Sequence, residues 1–437
     1  MYPNRTNVVS ILSLIILCWS HAESSFGQKR PVRVSITSDT KGDITEVNND
    51  VTVTATVENN ATDDITGTIE WKVRSVSFES PSSEKQPLSV QRNQHVVSTY
   101  TFSMPCSGFA NIECELKTSL SEKPIRVKHR LGADVEGILS PLTREKDFFA
   151  FWKESLSQLA GVSPAFQMTP QPAKPDSNVR LYEVSMQSFG DVCVRGWLEI
   201  PKQDGVFPAI LRVPGYGQNM KPVGGQENLI IFSFNPRGHG NSQDDIPGKP
   251  HDFWIRGLDS KDSYFYRGAY LDCIRAMDFL CSRKDVDKNR IAVWGGSQGG
   301  GFAFATASLD QRVDLCIADI PFLCDWVNYF KLTHWEEMDT WIAAKPHRSW
   351  SDTLRTMSYF DTMNLCERVT CPTIMSIGLQ DQVCPPTTSF SAFNRIRGEE
   401  KTYKIYPARG HGLGKEHQEH IWHQVKKRFF SVEPVRR

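Results

Sequence analysis

The sequence predicts an α/β fold, a doubly wound and mostly parallel sheet, preceded by an all-β sandwich. Three observations carry this. Residues 31 to about 130 alternate apolar and polar with period two and show no helical period. From Pro141 onward, short apolar runs alternate with segments of helical spacing, the pattern of a parallel sheet covered on both faces. The 437 residues leave room for about two to three domains.

In the first region the alternation runs through Val32, Val34 and Ile36, then Val51, Val53, Ala55 and Val57, then Ile69, Trp71 and Val73. It resumes in Tyr100, Phe102 and Met104, in Ala110, Ile112, Cys114 and Leu116, and in Ile125 and Val127. About seven strands separated by polar turns suit an immunoglobulin- or fibronectin-like sandwich over residues 31–133. It holds no paired carboxylates and no histidine cluster, which makes it an accessory or interaction module. One tryptophan, Trp71, is too few for an aromatic sugar platform.

The second domain is assigned to residues 134–437. Phe148, Phe151, Trp152, Leu156 and Leu159 mark an amphipathic helix, followed by a proline-containing link over residues 164–175. Strands are expected at 208–213, 229–234, 291–294, 313–320, 373–377 and 402–406. Helices are expected at 266–281, after Ser297, and in a last segment ending at Phe430.

Fifty basic and fifty acidic residues cancel, whereas a nucleic-acid binder normally carries a basic excess. The 39% hydrophobic content, with 24 Phe and 11 Trp, excludes a disordered chain. Residues 8–19 (VVSILSLIILCW) follow Arg5 and precede Ser20, His21 and Ala22, which reads as a secretory signal peptide over residues 1–22. Secretion or a periplasmic location follows, with no membrane association once the signal is removed. Of 11 cysteines, Cys106 and Cys114 are the expected disulfide pair, and the others read as small buried hydrophobes in about half of cases.

The chemistry centres on Gly295-Gly296-Ser297-Gln298-Gly299, a G-x-S-x-G between a strand and a helix. The pentapeptide alone is a weak motif, but this context is that of a nucleophile elbow, whose tight turn requires glycines two residues either side of the serine. A phosphate loop would need a lysine where Phe302 follows Gly301. The fold's order of serine, acid and histidine is met by Ser297, Asp381 after strand 373–377, and His411 after strand 402–406. Asp319 is the reserve acid. The oxyanion hole is assigned to the backbone N–H groups of Tyr216 and Gln298.

With Ser297, Asp381 and His411 in place, the chain resembles the acetyl xylan esterase and cephalosporin C deacetylase family of α/β-hydrolases. The resemblance is carried by Asn235 through Gly240, Ile255 through Asp259, Tyr266-Arg267, Gly295 through Gly301, Ala318 through Asp325, Tyr359 through Asp361 and Gly378 through Pro386. It covers residues 141–430, and it implies the same three catalytic residues and the same two oxyanion donors. Two positions depart from the family: its Arg-Gly-Gln is Arg237-Gly238-His239 here, and its His-Glu is His411-Gly412. The resemblance implies a secreted serine esterase acting on a small acetylated saccharide and on cephalosporins, with no cofactor. Family members often form hexamers, so a homo-oligomer is open, although the added sandwich sets this chain apart.

The alternatives are a peptidase or longer-chain esterase on the same fold, and a non-catalytic carbohydrate-binding protein. No metal site is read: His417, His420 and His423 are expected on a solvated helix face. Trp326, Trp335, Trp341 and Trp350 are expected mainly to pack the core or cap.

Overall fold

The computed structural model describes residues 31–79, 83–174, 177–226, 228–244, 246 and 252–430. The apolar segment 8–19 lies outside them. The chain divides into two compact units. The first runs to Arg74 and adds Glu79–Ser103 and Ala110–Leu131. The second takes Ser75–Phe78, Met104–Phe109 and everything from Gly132.

The first unit is all β. Strands β1 (Val32–Ser38), β3 (Asp50–Asn59) and β6 (His95–Ser103) form one antiparallel sheet. Strands β2 (Ile44–Thr45), β8 (Ser121–Ala133), β7 (Gly108–Thr118), β4 (Ile65–Arg74) and β5 (Glu84–Val90) form the other, in that order. Val51, Val53, Ala55 and Val57 of β3 are fully buried while their neighbours face outward, as period-two patterning requires. Trp71 of β4 reaches the other sheet, donating from Nε1 to Ser98 Oγ at 3.0 Å and stacking on Tyr100. The sequence reading passed over β5, an edge strand that carries Pro87, a residue tolerated in sheets mainly at edges. The expected Cys106–Cys114 disulfide is absent, and both thiols are free. Cys114 is buried in the β7 core row, and Cys106 donates to the Ser77 carbonyl at 3.2 Å.

The second unit holds a nine-stranded sheet. Its parallel part comprises β12 (Phe207–Val213), β13 (Ile230–Asn235), β14 (Val286–Gly296), β15 (Leu315–Asp319), β16 (Thr373–Gly378) and β17 (Lys401–Tyr406). In space they run 17-16-15-14-12-13. Residues of β13 and β15 are buried on both sides, the signature of a sheet covered by helices. Three antiparallel strands extend the edge beyond β13: β11 (Val192–Pro201), β10 (Val179–Ser188) and β9 (Gln167–Gln171). The sequence reading did not assign these, and β9 lies within the proline-containing stretch taken as a link.

Helices α1 (Phe148–Ala160), α2 (Phe265–Ser282) and α3 (Gln298–Leu309) precede the cap helices α4 (Trp326–Leu332), α5 (Glu336–Ala343) and α6 (Trp350–Ser358). The short α7 (Thr362–Leu365), then α8 (Pro386–Phe393) and α9 (Lys415–Phe430), follow. Every residue of α3 is buried, as expected of a helix apolar all round at a domain centre. Ile421, Val425 and Phe429 of α9 recur at helical spacing and pack on Ile210, Ile231, Leu315 and Ile317. Among the described residues no helix is long and apolar enough to cross a membrane.

Candidate active site

Strand β14 ends at Gly296 and α3 begins at Gln298, so Ser297 alone makes the turn. It does so at φ 57°, ψ −122°, a conformation that costs about 1–3 kcal/mol and persists only where its surroundings enforce it. They do so here. A Cβ on Gly295 would stand 2.5 Å from the Gly299 carbonyl, and one on Gly299 would stand 2.6 Å from the Val213 carbonyl oxygen. The Ser297 N–H donates to Asp319 O at 2.9 Å, and its carbonyl accepts from Gly300 and Phe322 at 2.9 and 3.0 Å. The side chain is thus held half-exposed at the carboxyl edge of the sheet, over a helix N-terminus that favours negative charge.

Asp381 and His411 sit on loops after neighbouring parallel strands, and the backbone ties those loops together. Leu379 N–H donates to Tyr406 O at 3.0 Å and Gln380 N–H to Arg409 O at 2.9 Å. Gly378 lies so close to Gly410 that a Cβ would sit 2.0 Å from its carbonyl oxygen. Asp381 is almost wholly buried. Its Oδ1 accepts the N–H groups of Val383 and Cys384 at 2.8 and 3.0 Å. Its Oδ2 lies 2.9 Å from His411 Nδ1, so the carboxylate fixes the ring's orientation.

The sequence-predicted residues are therefore brought together in part. Asp381 and His411 form a pair, while Ser297 Oγ has as its hydrogen-bond partner the thiol of Cys384, at 3.9 Å, and not His411. Such contacts are often loose without substrate and tighten in the Michaelis complex. Asp319, the reserve acid, is excluded by its face of the sheet: Leu315, Ile317 and Asp319 alternate toward α9. Its Oδ2 accepts Trp294 Nε1 at 2.7 Å and lies 2.9 Å from His417 Nε2. His417 is consequently not solvated as expected. It is buried on the inner side of α9 with its Nδ1 3.1 Å from Tyr406 Oη, whereas His423 is exposed.

Tyr216 follows β12 on the loop Val213-Pro214-Gly215-Tyr216. Its phenol oxygen accepts from the backbone at Trp254 and Phe253, and burial pushes its pKa up. Gln298 is fully buried and held from both ends of its amide. Tyr266 Oη donates to Oε1 at 2.9 Å, and Nε2 stands 2.9 Å from His239 Nε2. His239 Nδ1 is in turn 3.1 Å from the Arg237 carbonyl. With Nδ1–H donating to that carbonyl, Nε2 is the acceptor for the Gln298 amide, and the chain of donors is satisfied throughout. Burial lowers the His239 pKa to about 4, which keeps the ring neutral and Nε2 free to accept. Arg237 is itself clamped by Asp272 through Nε and Nη2 at 2.7 and 2.9 Å.

Sequence reasoning noted His239 only as a departure from a family pattern. In the fold it braces Gln298. Gly412, the other departure, faces open space. Cys384 was missed beside Ser297, since nothing in a single buried cysteine signals a neighbour far away in sequence. The tryptophans pack, as expected for most of them. Trp326 is buried, Trp335 Nε1 donates to Tyr329 Oη at 2.9 Å, Trp341 stacks under Arg348, and Trp350 lies on Phe330.

A parallel sheet with a strained serine between strand and helix, and an acid–histidine pair on the following loops, defines an α/β-hydrolase. The family model for acetyl xylan esterase (AXE1) matches residues 139–429. The chain belongs to that family. It is 32% identical to the acetyl xylan esterase from Paenibacillus sp. R4, with a TM-score of 0.61 over 67% of this chain and 98% of that one. Acetyl xylan esterase 1 from Thermoanaerobacterium sp. JW/SL YS485 is 26% identical, with a TM-score of 0.63 over 68% and 98%. Acetyl esterase Axe7A of Xylanibacter ruminicola is 29% identical over 286 residues, 61% of this chain. The chain spans 63% of that relative's length.

Proposed function

We propose that this protein is a secreted serine esterase that removes acetyl groups from acetylated carbohydrates, xylan or xylo-oligosaccharides among them, and from cephalosporins. The observation that carries the reading is the Ser297 elbow facing loops on which Asp381 fixes the ring of His411 at 2.9 Å. His411 takes the Ser297 Oγ proton as Oγ attacks the acetyl carbonyl carbon, and the N–H groups of Tyr216 and Gln298 hold the resulting oxyanion. The tetrahedral species collapses, the sugar oxygen leaves with the proton from His411, and an acetyl-Ser297 ester remains. Water, deprotonated by His411, then attacks that ester and releases acetate. Asp381 holds the ring and stabilises the imidazolium at each step. The reaction calls for no cofactor.

Family membership and likeness to two acetyl xylan esterases support the substrate class. We infer that residues 1–22 are an export signal and that the N-terminal unit is an immunoglobulin- or fibronectin-like accessory module. The deciding experiment compares wild type with Ser297→Ala on p-nitrophenyl acetate, then follows acetate release from acetylated xylo-oligosaccharides and 7-aminocephalosporanic acid. An unchanged rate in Ser297→Ala would end the proposal. A preference for butyryl or longer acyl esters would replace the acetyl reading by a longer-chain esterase.

A further inference from the structure

Cys384 takes no part in the reaction as written, yet its thiol lies between the reacting groups. Ligand atoms of Asp381, Cys384 and His411 all lie within 4.8 Å of one another, and the Cys384 sulfur is also 3.9 Å from Ser297 Oγ. Asp381 and Cys384 are buried, and the His411 side chain is one-fifth exposed, which leaves a way in from solvent. The N–H groups of Val383 and Cys384 donate to Asp381 Oδ1, and Oδ2 faces His411 Nδ1. We propose that Asp381, Cys384 and His411 form an inhibitory site for a thiophilic divalent cation such as Zn²⁺, with Ser297 Oγ or a water completing a tetrahedron.

One sulfur, one imidazole nitrogen and one carboxylate oxygen make a borderline-soft set that suits zinc and excludes magnesium and calcium, which take oxygen ligands. Zinc–sulfur and zinc–nitrogen bonds of about 2.3 and 2.1 Å put tetrahedral ligand atoms about 3.5 Å apart, so donors up to 4.8 Å apart close by about 1.3 Å, and where His411 Nδ1 is the ligand its 2.9 Å separation from Asp381 opens by about 0.5 Å. Binding releases the Cys384 thiol proton to solvent, and the ion occupies a nitrogen of His411. Loss of Nδ1 detaches the ring from Asp381, and loss of Nε2 removes the lone pair that accepts the serine proton. Either way hydrolysis stops without any covalent change.

The test is a Co²⁺ titration of the full chain, read by the thiolate-to-cobalt charge-transfer band, which reports binding without turnover. A parallel Zn²⁺ titration follows p-nitrophenyl acetate hydrolysis. The expected result is the band in wild type and its loss in both Cys384→Ala and Cys384→Ser. At free Zn²⁺ about tenfold above its Kd, the wild-type rate falls about tenfold and EDTA restores it. Fractional inhibition in each variant is measured against its own metal-free rate. A band that survives both substitutions, or zinc inhibition equal in wild type and variants, would overturn the site. The consequence for hydrolysis rests on the esterase reading, but the band does not. Cobalt binding through Cys384 in a protein that hydrolyses no ester would sink the esterase reading and leave the metal site standing.

Discussion

Replacing His239 by leucine tests how the structure holds one of the two proposed oxyanion donors. The imidazole is fully enclosed and its Nε2 accepts from the Gln298 amide at 2.9 Å, while the Arg237 carbonyl lies 3.1 Å from Nδ1. Leucine fills most of the volume and removes both bonds. A buried donor left without a partner costs about 1–3 kcal/mol, and Gln298 relieves that cost only by turning its side chain. Its backbone N–H opens α3 directly after Ser297, so a turn there moves the donor away from the developing oxyanion. Complete loss of such a donor lowers kcat by about 10²–10³. A displaced one should cost about tenfold to hundredfold, with KM changed less than about twofold because the bond matters in the transition state. His239→Gln keeps an acceptor oxygen at that position and should restore most of the rate. The assay is kcat and KM on p-nitrophenyl acetate beside a thermal midpoint for each variant. Wild-type kcat in His239→Leu would refute the reasoning, as would a His239→Gln variant as slow as the leucine one, since that would trace the effect to packing.

Three further outcomes follow from the same geometry. Asp381→Asn removes the charge that orients His411 Nδ1 and should lower kcat by about 10⁴ with KM little changed, measured on the same ester. Gly299→Ala places a methyl 2.6 Å from the Val213 carbonyl, and overpacking of about 1–3 kcal/mol should appear in urea unfolding together with a loss of activity out of proportion to it. The pH dependence of stability should carry the signature of His239. Its folded pKa of about 4 lies below the ordinary 6.5, so the unfolded chain takes a proton that the folded chain refuses. This contribution is complete above pH 6.5 and is lost as pH falls to 4, about 3 kcal/mol over the window. Chemical denaturation of His239→Gln across that range should show a correspondingly shallower acid loss, and an identical slope in both proteins would exclude it.

Most of the parallel strands were legible as short apolar runs, and β14 to β16 also end at a glycine or acidic residue, as in Ile291 to Gly296. Strands β9 to β11 were not: β9 lies within the proline-containing stretch read as a linker, and the alternation of Val192, Val194, Leu198 and Ile200 in β11 was passed over. The order of Ser297, Asp381 and His411 could be read because each follows a strand, which is a local property. Asp319, at the end of a strand, was the reserve candidate, and the sheet's alternation places it toward α9 with Trp294 and His417. The same distinction explains His417: a three-residue repeat of histidines says nothing about which one faces the sheet. Partnerships such as His239 with Gln298, 59 positions apart, depend on how distant turns meet. No local pattern records them.

Helix α9 also bears on whether the protein can work. Its Ile421, Val425 and Phe429 close one face of the sheet, and its His417 meets Asp319, whose backbone oxygen holds the Ser297 N–H. The elbow therefore leans on sixteen residues that lie outside the site itself. A protease that clipped Lys415–Phe430 would silence the serine from the far side of the sheet.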